Sequence, residues 1–385
     1  MTLKEIFGKV AKWFYDPMDA HCGGCAINCS LQNPNCANGR DKAARFYAKH
    51  PELKPEKEKK IIHVEVIPEG KTPRDRINLQ AALDQAQGLA DGEQLEIELA
   101  SGTFLIDKCL VVYSDTHLLL KPDTVMRRSD QYRILLKSFT DKKTPGYGNV
   151  HDIVIEGGIW DGASTTTDKY KKLIKFSHAE NITFRDATVR RVSGKHNVTF
   201  AAVRGVRVQN VHFTEFPGYT DIDRKLANAE QLHIDGISDD GVSEPNEQPY
   251  DNTPCTDVLI EHCTFDGGYA AIGSHYPPFK GRGCTFRNYK YPPIHIFHFD
   301  DVCIENNTFI DCEGYSASDV KNEEPVLRFV HATRAVHDIM EKDCSRADRE
   351  ADKKMCTEET IIGGVRIYDC TNVKVHADKE GKAHI

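Results

Sequence analysis

The chain has 385 residues, and its 50 Lys and Arg against 58 Asp and Glu give a formal charge of −8. Hydrophobic residues make up 39% of the sequence and charged residues 28%, which suits a large apolar core and excludes a disordered chain. The mildly acidic balance argues against a nucleic-acid partner, and no apolar run approaches the ~18 residues of a membrane span. The composition therefore predicts a water-exposed globular protein.

Apolar residues recur every three or four positions among the first 16 residues, as in an amphipathic helix. Lys9 and Lys12 interrupt them, so the segment lacks the continuous hydrophobic region of a secretory signal. We expect a helix that covers one end of a larger core, and a cytoplasmic protein. A secreted protein whose signal had been removed would show the same pattern.

Four of the 13 cysteines follow a Cys-x2-Cys-x3-Cys-x6-Cys pattern, and they are Cys22, Cys25, Cys29 and Cys36. Gly, Asn and Pro between them favour turns, so the four thiolates could converge on one ion. Four sulfur ligands suit zinc or an iron–sulfur cluster, while a local disulfide knot and unligated thiols are the alternatives. Because four ligands leave no open position, a metal here would be structural, and we expect no cofactor for catalysis.

The sequence pattern changes near residue 60. Residues 1–60 are predicted to form the helical, Cys-rich N-terminal segment, and residues 61–385 one domain of repeated strand-like segments. Their shared form is x-Val/Ile-x-Ile/Val-x-Asn/His-Cys/Asn/Val-x-Phe, as in residues 179–189, 204–213 and 256–265. Because each unit buries its apolar face only by stacking on the next, the repeat predicts a solenoid with ladders of like residues inside. Later cysteines such as Cys263 and Cys284 would then pack as small hydrophobes.

The repeat resembles the right-handed parallel β-helix of the pectin-lyase-like superfamily over about residues 60–385. A short helix predicted at residues 78–87, followed by Ser101-Gly-Thr-Phe104, is similar to the capped first coil of such proteins. The resemblance implies an all-β fold, a right-handed parallel β-helix solenoid preceded by the Cys-rich cap segment. This fold serves hydrolases, lyases, epimerases and adhesins, so by itself it does not give the function.

A more specific resemblance concerns the strand Glu230-Gln-Leu-His-Ile-Asp235. It is similar to the "Glu-x-Ile-Gln-x-Asp" strand of a bacterial, glycoside-hydrolase-like branch of the superfamily, and residues 194–210 and 271–275 are similar to the coils on either side. Polygalacturonase-type hydrolases carry a "Gly-His-Gly" loop and an "Arg-Ile-Lys" strand, and neither occurs in this sequence. The resemblance implies a carbohydrate-active enzyme in which Asp235 is the central carboxylate.

Strand alternation identifies the side chains that would share a surface with Asp235. Leu232 and Ile234 should point inward, so Gln231, His233 and Asp235 should line the outer face. We expect catalytic roles for Asp235, His233, Glu230 and His275. We expect substrate binding by residues of the same and neighbouring coils, namely Lys175, Lys195, His196, Asn197, Gln231, His295 and Arg328.

Three functions remain open on these residues. Two carboxylates could hydrolyse a glycosidic bond of an oligo- or polysaccharide, one protonating the leaving oxygen and the other activating water or attacking carbon. Alternatively, His233 and His275 could serve as base and acid in a uronate lyase or C5-epimerase, with Lys175 or Arg190 neutralising the acidic sugar. The third possibility is a non-catalytic module that binds glycans. Glycoside hydrolysis is the function we predict from the sequence.

Overall fold

The computed structural model describes residues 59–129, 134–163, 172–192, 196–216, 230–237 and 248–268, Lys42 and Arg45, and the backbones of the later strands. Beyond residue 268 it describes the side chains of residues 271–273, Cys284, Phe286 and Ile294. The predicted N-terminal helix and the four clustered cysteines lie outside the described residues, as do Lys195 and Arg328.

The described chain consists mainly of short strands. One α-helix, α1 (Arg74–Leu83), and one 3-10 helix (Asp84–Gly88) precede most of them. The strands are β1 (Lys60–Val66), β2 (Glu93–Leu99), β3 (Thr103–Ile106), β4 (Leu110–Val112), β5 (Thr116–Arg128), β6 (Leu136–Ser138), β7 (Val150–Asp161), β8 (Ile174–Arg185), β9 (Thr188–Arg190), β10 (Val198–Gln209), β11 (His212–Thr214), β12 (Glu230–Asp235), β13 (Thr256–Glu261), β14 (Thr264–Gly268), β15 (Ala270–His275), β16 (Phe279–Arg282), β17 (Thr285–Tyr289), β18 (Ile294–Phe297), β19 (Cys303–Glu305), β20 (Thr308–Ile310), β21 (Thr360–Ile362), β22 (Val365–Tyr368), β23 (Lys374–Ala377) and β24 (Ala383–His384).

Helix α1 lies four residues earlier than the sequence pattern predicted, and the reason is Asp75. Its buried carboxylate accepts hydrogen bonds from the backbone N–H groups of Glu69 (2.7 Å), Lys71 (3.1 Å) and Leu105 (2.9 Å). A carboxylate in the first turn is also favoured by the helix dipole, so the helix begins before Asp75. Leu79 and Leu83 are buried in the core, which confirms a helix packed on the first coil.

Successive coils pair in parallel and wind around three faces. On the first face the register partners are Thr116, Ile153, Ile182, Val206 and Val258. On the second face they are Val189, Phe213, Phe265, Phe286 and Phe309. On the third face they are Lys137, Lys175, Thr199, His233, Gly273, His295 and Arg366. The predicted right-handed parallel β-helix is therefore confirmed.

Ladders of like residues fill the interior, as the repeat predicted. The ring of Phe265 stacks on that of Phe213 at 4.7 Å and on that of Phe286 at 5.1 Å, each with an interplanar angle of 4°. Cys263 and Cys284 are buried in the same core. Stacked rings and small thiols at equivalent positions of successive coils join the coils into one continuous hydrophobic interior.

The turn before the first face explains the recurring Asp and Asn residues. Five consecutive coils adopt a left-handed backbone at the equivalent position, with φ of 55° at Asp115, 53° at Asp152, 55° at Asn181, 73° at Gly205 and 52° at Asp257. Gly, Asn and Asp tolerate this conformation better than other residues. The Asn181 side chain also donates a hydrogen bond of 3.0 Å to Asp152 Oδ1 on the preceding coil, so the turns themselves form a ladder.

Candidate active site on the third face

Strand β12 supplies the centre of the candidate site. Leu232 and Ile234 belong to the hydrophobic core, so alternation places Gln231, His233 and Asp235 on the other side of the strand. We expected these three side chains to be exposed, but all three are buried, as is every residue of β12. The expectation of exposure was wrong because alternation predicts the direction of a side chain and not whether other parts of the chain cover it.

The site contains two histidine–carboxylate pairs. His196 Nδ1 contacts Glu230 Oε2, and His233 Nε2 lies 3.6 Å from Asp235 Oδ2. The two imidazole rings stack on each other, with centroids 3.8 Å apart and an interplanar angle of 9°. The four side chains therefore form one buried cluster in which carboxylates flank a pair of stacked rings.

The position of Glu230 depends on Gly273 of the next coil. By alternation Glu230 should share the inward side of Leu232, yet its side chain lies above the backbone of Gly273. A Cβ atom on Gly273 would lie 2.2 Å from Glu230 Cγ and 2.7 Å from its Oε1. Since Gly273 is the register partner of His233, the missing side chain makes room for the carboxylate next to the His233 row.

Other polar side chains of the third face lie beside this cluster. Lys175, Thr199 and His233 are consecutive register partners, and all three are buried. Asn197 is also buried, and Gln231 donates from Nε2 to the carbonyl oxygen of Gly267 at 2.8 Å. The structure thus brings together, with Asp235, six further residues that were predicted from the sequence as catalytic or substrate-binding and are described with their side chains. They are Lys175, His196, Asn197, Glu230, Gln231 and His233, and they lie on the same face as Asp235.

The remaining predicted residues are placed less completely. His295 is the register partner of Gly273, so the backbone brings it into the His233 row, and His275 is the partner of Phe297. The side chains of both histidines lie outside the described part of the structure, together with all of Lys195 and Arg328. Their predicted roles stay predictions.

Arg190, a candidate for neutralising an acidic sugar, lies elsewhere. Its guanidinium pairs with Asp161 at 3.3 Å and with Glu215 at 3.5 Å on the second face. Asp161 also accepts hydrogen bonds from Arg191 Nε at 2.9 Å and from Arg127 Nε at 3.3 Å. Burial by itself raises the pKa of Asp161, but the hydrogen bonds from Arg191 and the Ala163 N–H, with the charges of Arg191 and Arg190, lower it overall. These residues form a structural charge cluster.

Cys255 lies directly beneath the end of β12. Its Sγ is 3.1 Å from the carbonyl oxygen of Asp235 and accepts a hydrogen bond of 3.2 Å from the N–H of Val203. Burial raises the pKa of Cys255 to about 12, so the thiol stays protonated near neutral pH and is a poor nucleophile. The residue therefore supports the backbone of Asp235 and does not itself supply chemistry.

Comparison with solved structures identifies the fold. The chain superposes on PfbA, a surface adhesin of Streptococcus pneumoniae, with a TM-score of 0.51 and 23% identity, over 61% of this chain and 58% of that chain. The fold is a parallel β-helix. It is also similar to a family 28 exopolygalacturonase of Yersinia enterocolitica, with a TM-score of 0.48 and 15% identity over 65% of this chain and 53% of that one. In both comparisons the match spans little more than half of the other protein.

Sequence comparison adds no family assignment to this β-helix. A scan against protein-family models finds no match, and a search of curated proteins finds none either.

Within the described residues, no helix combines the length and the apolar character needed to cross a bilayer.

Several chemical roles are available to the cluster of this β-helix. A buried carboxylate beside an imidazole can hold or transfer a proton, and electrostatic interactions are stronger away from water. The outer row also carries Lys175, and Lys137 is its register partner on the previous coil. The third face therefore combines candidate acids and bases with cationic groups that could bind an anionic ligand.

Proposed function

We propose that this protein is a carbohydrate-active enzyme that hydrolyses glycosidic bonds of an oligo- or polysaccharide, with Asp235 as the central carboxylate. One observation carries the proposal: β12 presents two buried carboxylates, Glu230 and Asp235, each facing an imidazole ring. Hydrolysis of a glycosidic bond needs two carboxyl groups in different roles, and this strand supplies them together.

Hydrolysis requires different roles for the two carboxyl groups. Asp235 Oδ1 accepts a hydrogen bond of 2.8 Å from the N–H of Gly236, which fixes the carboxyl group, and Oδ2 faces His233. We assign Asp235 as the group that donates a proton to the leaving glycosidic oxygen. Glu230, paired with His196, then accepts a proton from the water whose oxygen bonds to the sugar carbon. Burial would strengthen both interactions in the transition state.

A uronate lyase or C5-epimerase is the second candidate, and the row of cations on the third face favours it. Lys137, Lys175, Thr199 and His233 are consecutive register partners. Lysine ammonium groups could neutralise the carboxylate of an acidic sugar, which makes the neighbouring C–H proton easier to remove. In that reaction His233 would act as the base that takes this proton.

The experiment that tests these proposals incubates the full chain with neutral and uronate-containing oligosaccharides and follows two products. New reducing ends without ultraviolet absorbance indicate hydrolysis, and absorbance from an unsaturated uronate indicates elimination. Asp235→Asn should lower turnover by about 10²–10⁴-fold, the range typical of general acid–base catalysis, because the amide cannot donate the proton. Glu215→Gln, an exposed carboxylate on the second face, is the matched control and should keep full activity.

Two outcomes would overturn the proposed hydrolysis. Asp235→Asn with wild-type turnover would remove Asp235 from the reaction. Binding of a glycan that survives replacement of both Glu230 and Asp235, without any product, would favour a non-catalytic binding module.

A further inference from the structure

We propose that His196, Glu230 and His233 form a binding site for one divalent transition-metal ion, with zinc the best match. Each residue offers one ligand atom, and the three atoms all lie within 4.8 Å of one another. The three residues are between 3% and 6% exposed, so an ion bound there would be shielded from solvent. This inference goes beyond the proposed hydrolysis and does not rest on it: a zinc-bound Glu230 could not also be the free base, and metal binding can be measured without sugar.

The chemistry of the donor set selects the class of ion. Two imidazole nitrogens and one carboxylate oxygen are typical ligands of zinc, and the same set occurs in catalytic zinc sites. Calcium takes six to eight oxygen ligands and magnesium prefers carboxylates, phosphates and water, so neither suits two histidines. Three protein ligands also leave the fourth tetrahedral position open for water or a ligand.

The surroundings of the three residues support the assignment independently. Asp235 Oδ2 lies 3.6 Å from Nε2 of His233. A carboxylate beside one imidazole nitrogen favours the proton at that nitrogen and directs the lone pair of the other towards a metal, an arrangement common among metal-binding histidines. Gly273 supplies the second feature, because only a residue without a side chain leaves room for Glu230 at this position.

Metal binding would require a small rearrangement of the rings. The imidazoles of His196 and His233 are nearly parallel at 9°, so their lone pairs lie in separate planes. An ion bound by both imidazoles needs at least one ring to turn about its Cβ–Cγ bond. This torsion angle has a broad energy minimum in histidine. We therefore expect zinc to replace the ring stack by a tilted arrangement, with Glu230 completing the three ligands.

The test compares zinc binding by the full chain and by four variants. After treatment with a chelator, each protein is titrated with zinc, and bound metal per chain is measured by elemental analysis. Glu230→Gln keeps the shape of the ligand but removes its charge, and His196→Ala removes a ligand. Gly273→Ala keeps all three ligands but displaces the carboxylate. The control is His151→Ala, which removes the exposed histidine from the group of Asp115, His151 and Asp152, whose ligand atoms have similar spacing.

We expect the wild type to bind one more zinc ion than Glu230→Gln or His196→Ala, and Gly273→Ala to bind this ion at least about 10-fold more weakly. His151→Ala should bind as the wild type does. Equal stoichiometry and affinity in the wild type and all three site variants would overturn the proposal. Loss of the ion in His151→Ala would overturn it too, since the zinc would then bind at the surface.

The clustered cysteines could also bind zinc, so the ligands must be identified. X-ray absorption at the zinc edge separates sulfur at about 2.3 Å from nitrogen and oxygen at about 2.0–2.2 Å. The proposal requires that the zinc lost in Glu230→Gln be ligated by nitrogen and oxygen. A difference confined to the sulfur shell would contradict it. The variant with all four of those cysteines changed to Ser, if it folds, should keep the His196–Glu230–His233 site.

Discussion

Asp161 is buried as an ion because arginines surround it on the second face of the β-helix. Arg127, Arg190 and Arg191 all contact its carboxylate, and the Ala163 N–H donates a hydrogen bond of 2.8 Å. Burying a lone charge is costly, so removing this partner would leave several guanidinium groups without their shared carboxylate.

We predict that Asp161→Asn lowers the free energy of unfolding by about 3–5 kcal/mol at neutral pH, the range for breaking a buried ion pair. The pKa of Asp161 is lowered in the folded chain. Its contribution to stability is therefore complete above the unfolded pKa of about 3.9 and is lost as the pH falls through the folded value. Urea unfolding at several pH values measures this effect.

The control for this prediction is Glu215→Gln, which removes an exposed carboxylate from the same Arg190. Exposed ion pairs contribute about 0–1 kcal/mol, so this variant should unfold nearly as the wild type does. If the difference between Asp161→Asn and the wild type stayed constant down to pH 2, the arginines would not be the source of the stabilisation.

Gly273 gives a second prediction at the scale of a residue. In Gly273→Ala the new methyl group would collide with the side chain of Glu230, which is flexible and can move away. Because Glu230 is buried, we expect the free energy of unfolding to fall by about 1–3 kcal/mol, the range for overpacking a filled site. The His196–Glu230 contact should be lost, and turnover should fall, because Glu230 is the proposed base. A crystal structure of the variant and kinetic assays measure the two effects.

The control is Gly88→Ala, because within the described part of the chain a Cβ placed on Gly88 would meet no atom within 4 Å beyond its own local backbone. This variant should keep wild-type activity and stability. Gly273→Ala with full activity and an unmoved Glu230 would show that the glycine has no positioning role.

The residues of the candidate site differ in how far the sequence reveals them. Gln231, His233 and Asp235 follow from alternation around Leu232 and Ile234, because both core residues are recognisable in the sequence. The direction of Glu230 does not follow, since it depends on a gap at Gly273 in the next coil. The stacking of His196 on His233 depends on the register between β10 and β12. A glycine inside a strand was the signal that could have indicated the close approach.

At the scale of elements, the turns before the first face share one backbone conformation in five successive coils. Their left-handed backbone accounts for the Asp, Asn or Gly just before the first apolar residue of each unit, and the Asn/His position after the first face is left-handed too, at Asp186, Asn210 and His262. The start of α1 had no such signal, because Asp75 is held by N–H groups from residues 69, 71 and 105. Local patterns predicted that a helix exists and tertiary contacts decided where it begins.

We predict that Asn181→Ala is more destabilising than Asn181→Gly. Asn181 has a φ of 55°, which costs a residue with a Cβ about 1–2 kcal/mol unless it is Asn or Asp, whereas Gly adopts it readily. Both variants lose the hydrogen bond to Asp152, so the difference between their stabilities measures only the cost of the left-handed backbone. Thermal unfolding of the two proteins gives the comparison. Equal stabilities, or a less stable Gly variant, would contradict the conformational explanation.

At the scale of the whole molecule, each coil is stabilised by its neighbours along the sequence. Register partners of the described part are drawn from adjacent coils, and the Phe213–Phe265–Phe286 stack crosses three of them. The fold was predictable for the same reason: one unit repeats, so a weak pattern accumulates over many coils. The chemistry was less predictable, because it depends on single side chains that interrupt the repeat.

Because the coils are stacked in a line, we can predict which coils a defect in the core destabilises. Phe265→Ala should cost about 3–5 kcal/mol, because it removes the middle ring of the stack and leaves a cavity. In a solenoid the loss should spread mainly to adjoining coils, so amide hydrogens of β11, β14 and β17 should exchange faster while those of β2 and β5 change least. Hydrogen exchange followed by mass spectrometry resolves these segments.

The control is Phe139→Ala. It removes a ring that is 40% exposed and stacked only on Tyr113 among the described aromatic pairs, so exchange in β14 should stay unchanged. A uniform increase of exchange from β2 to β17 in Phe265→Ala would mean that the β-helix unfolds as one cooperative unit.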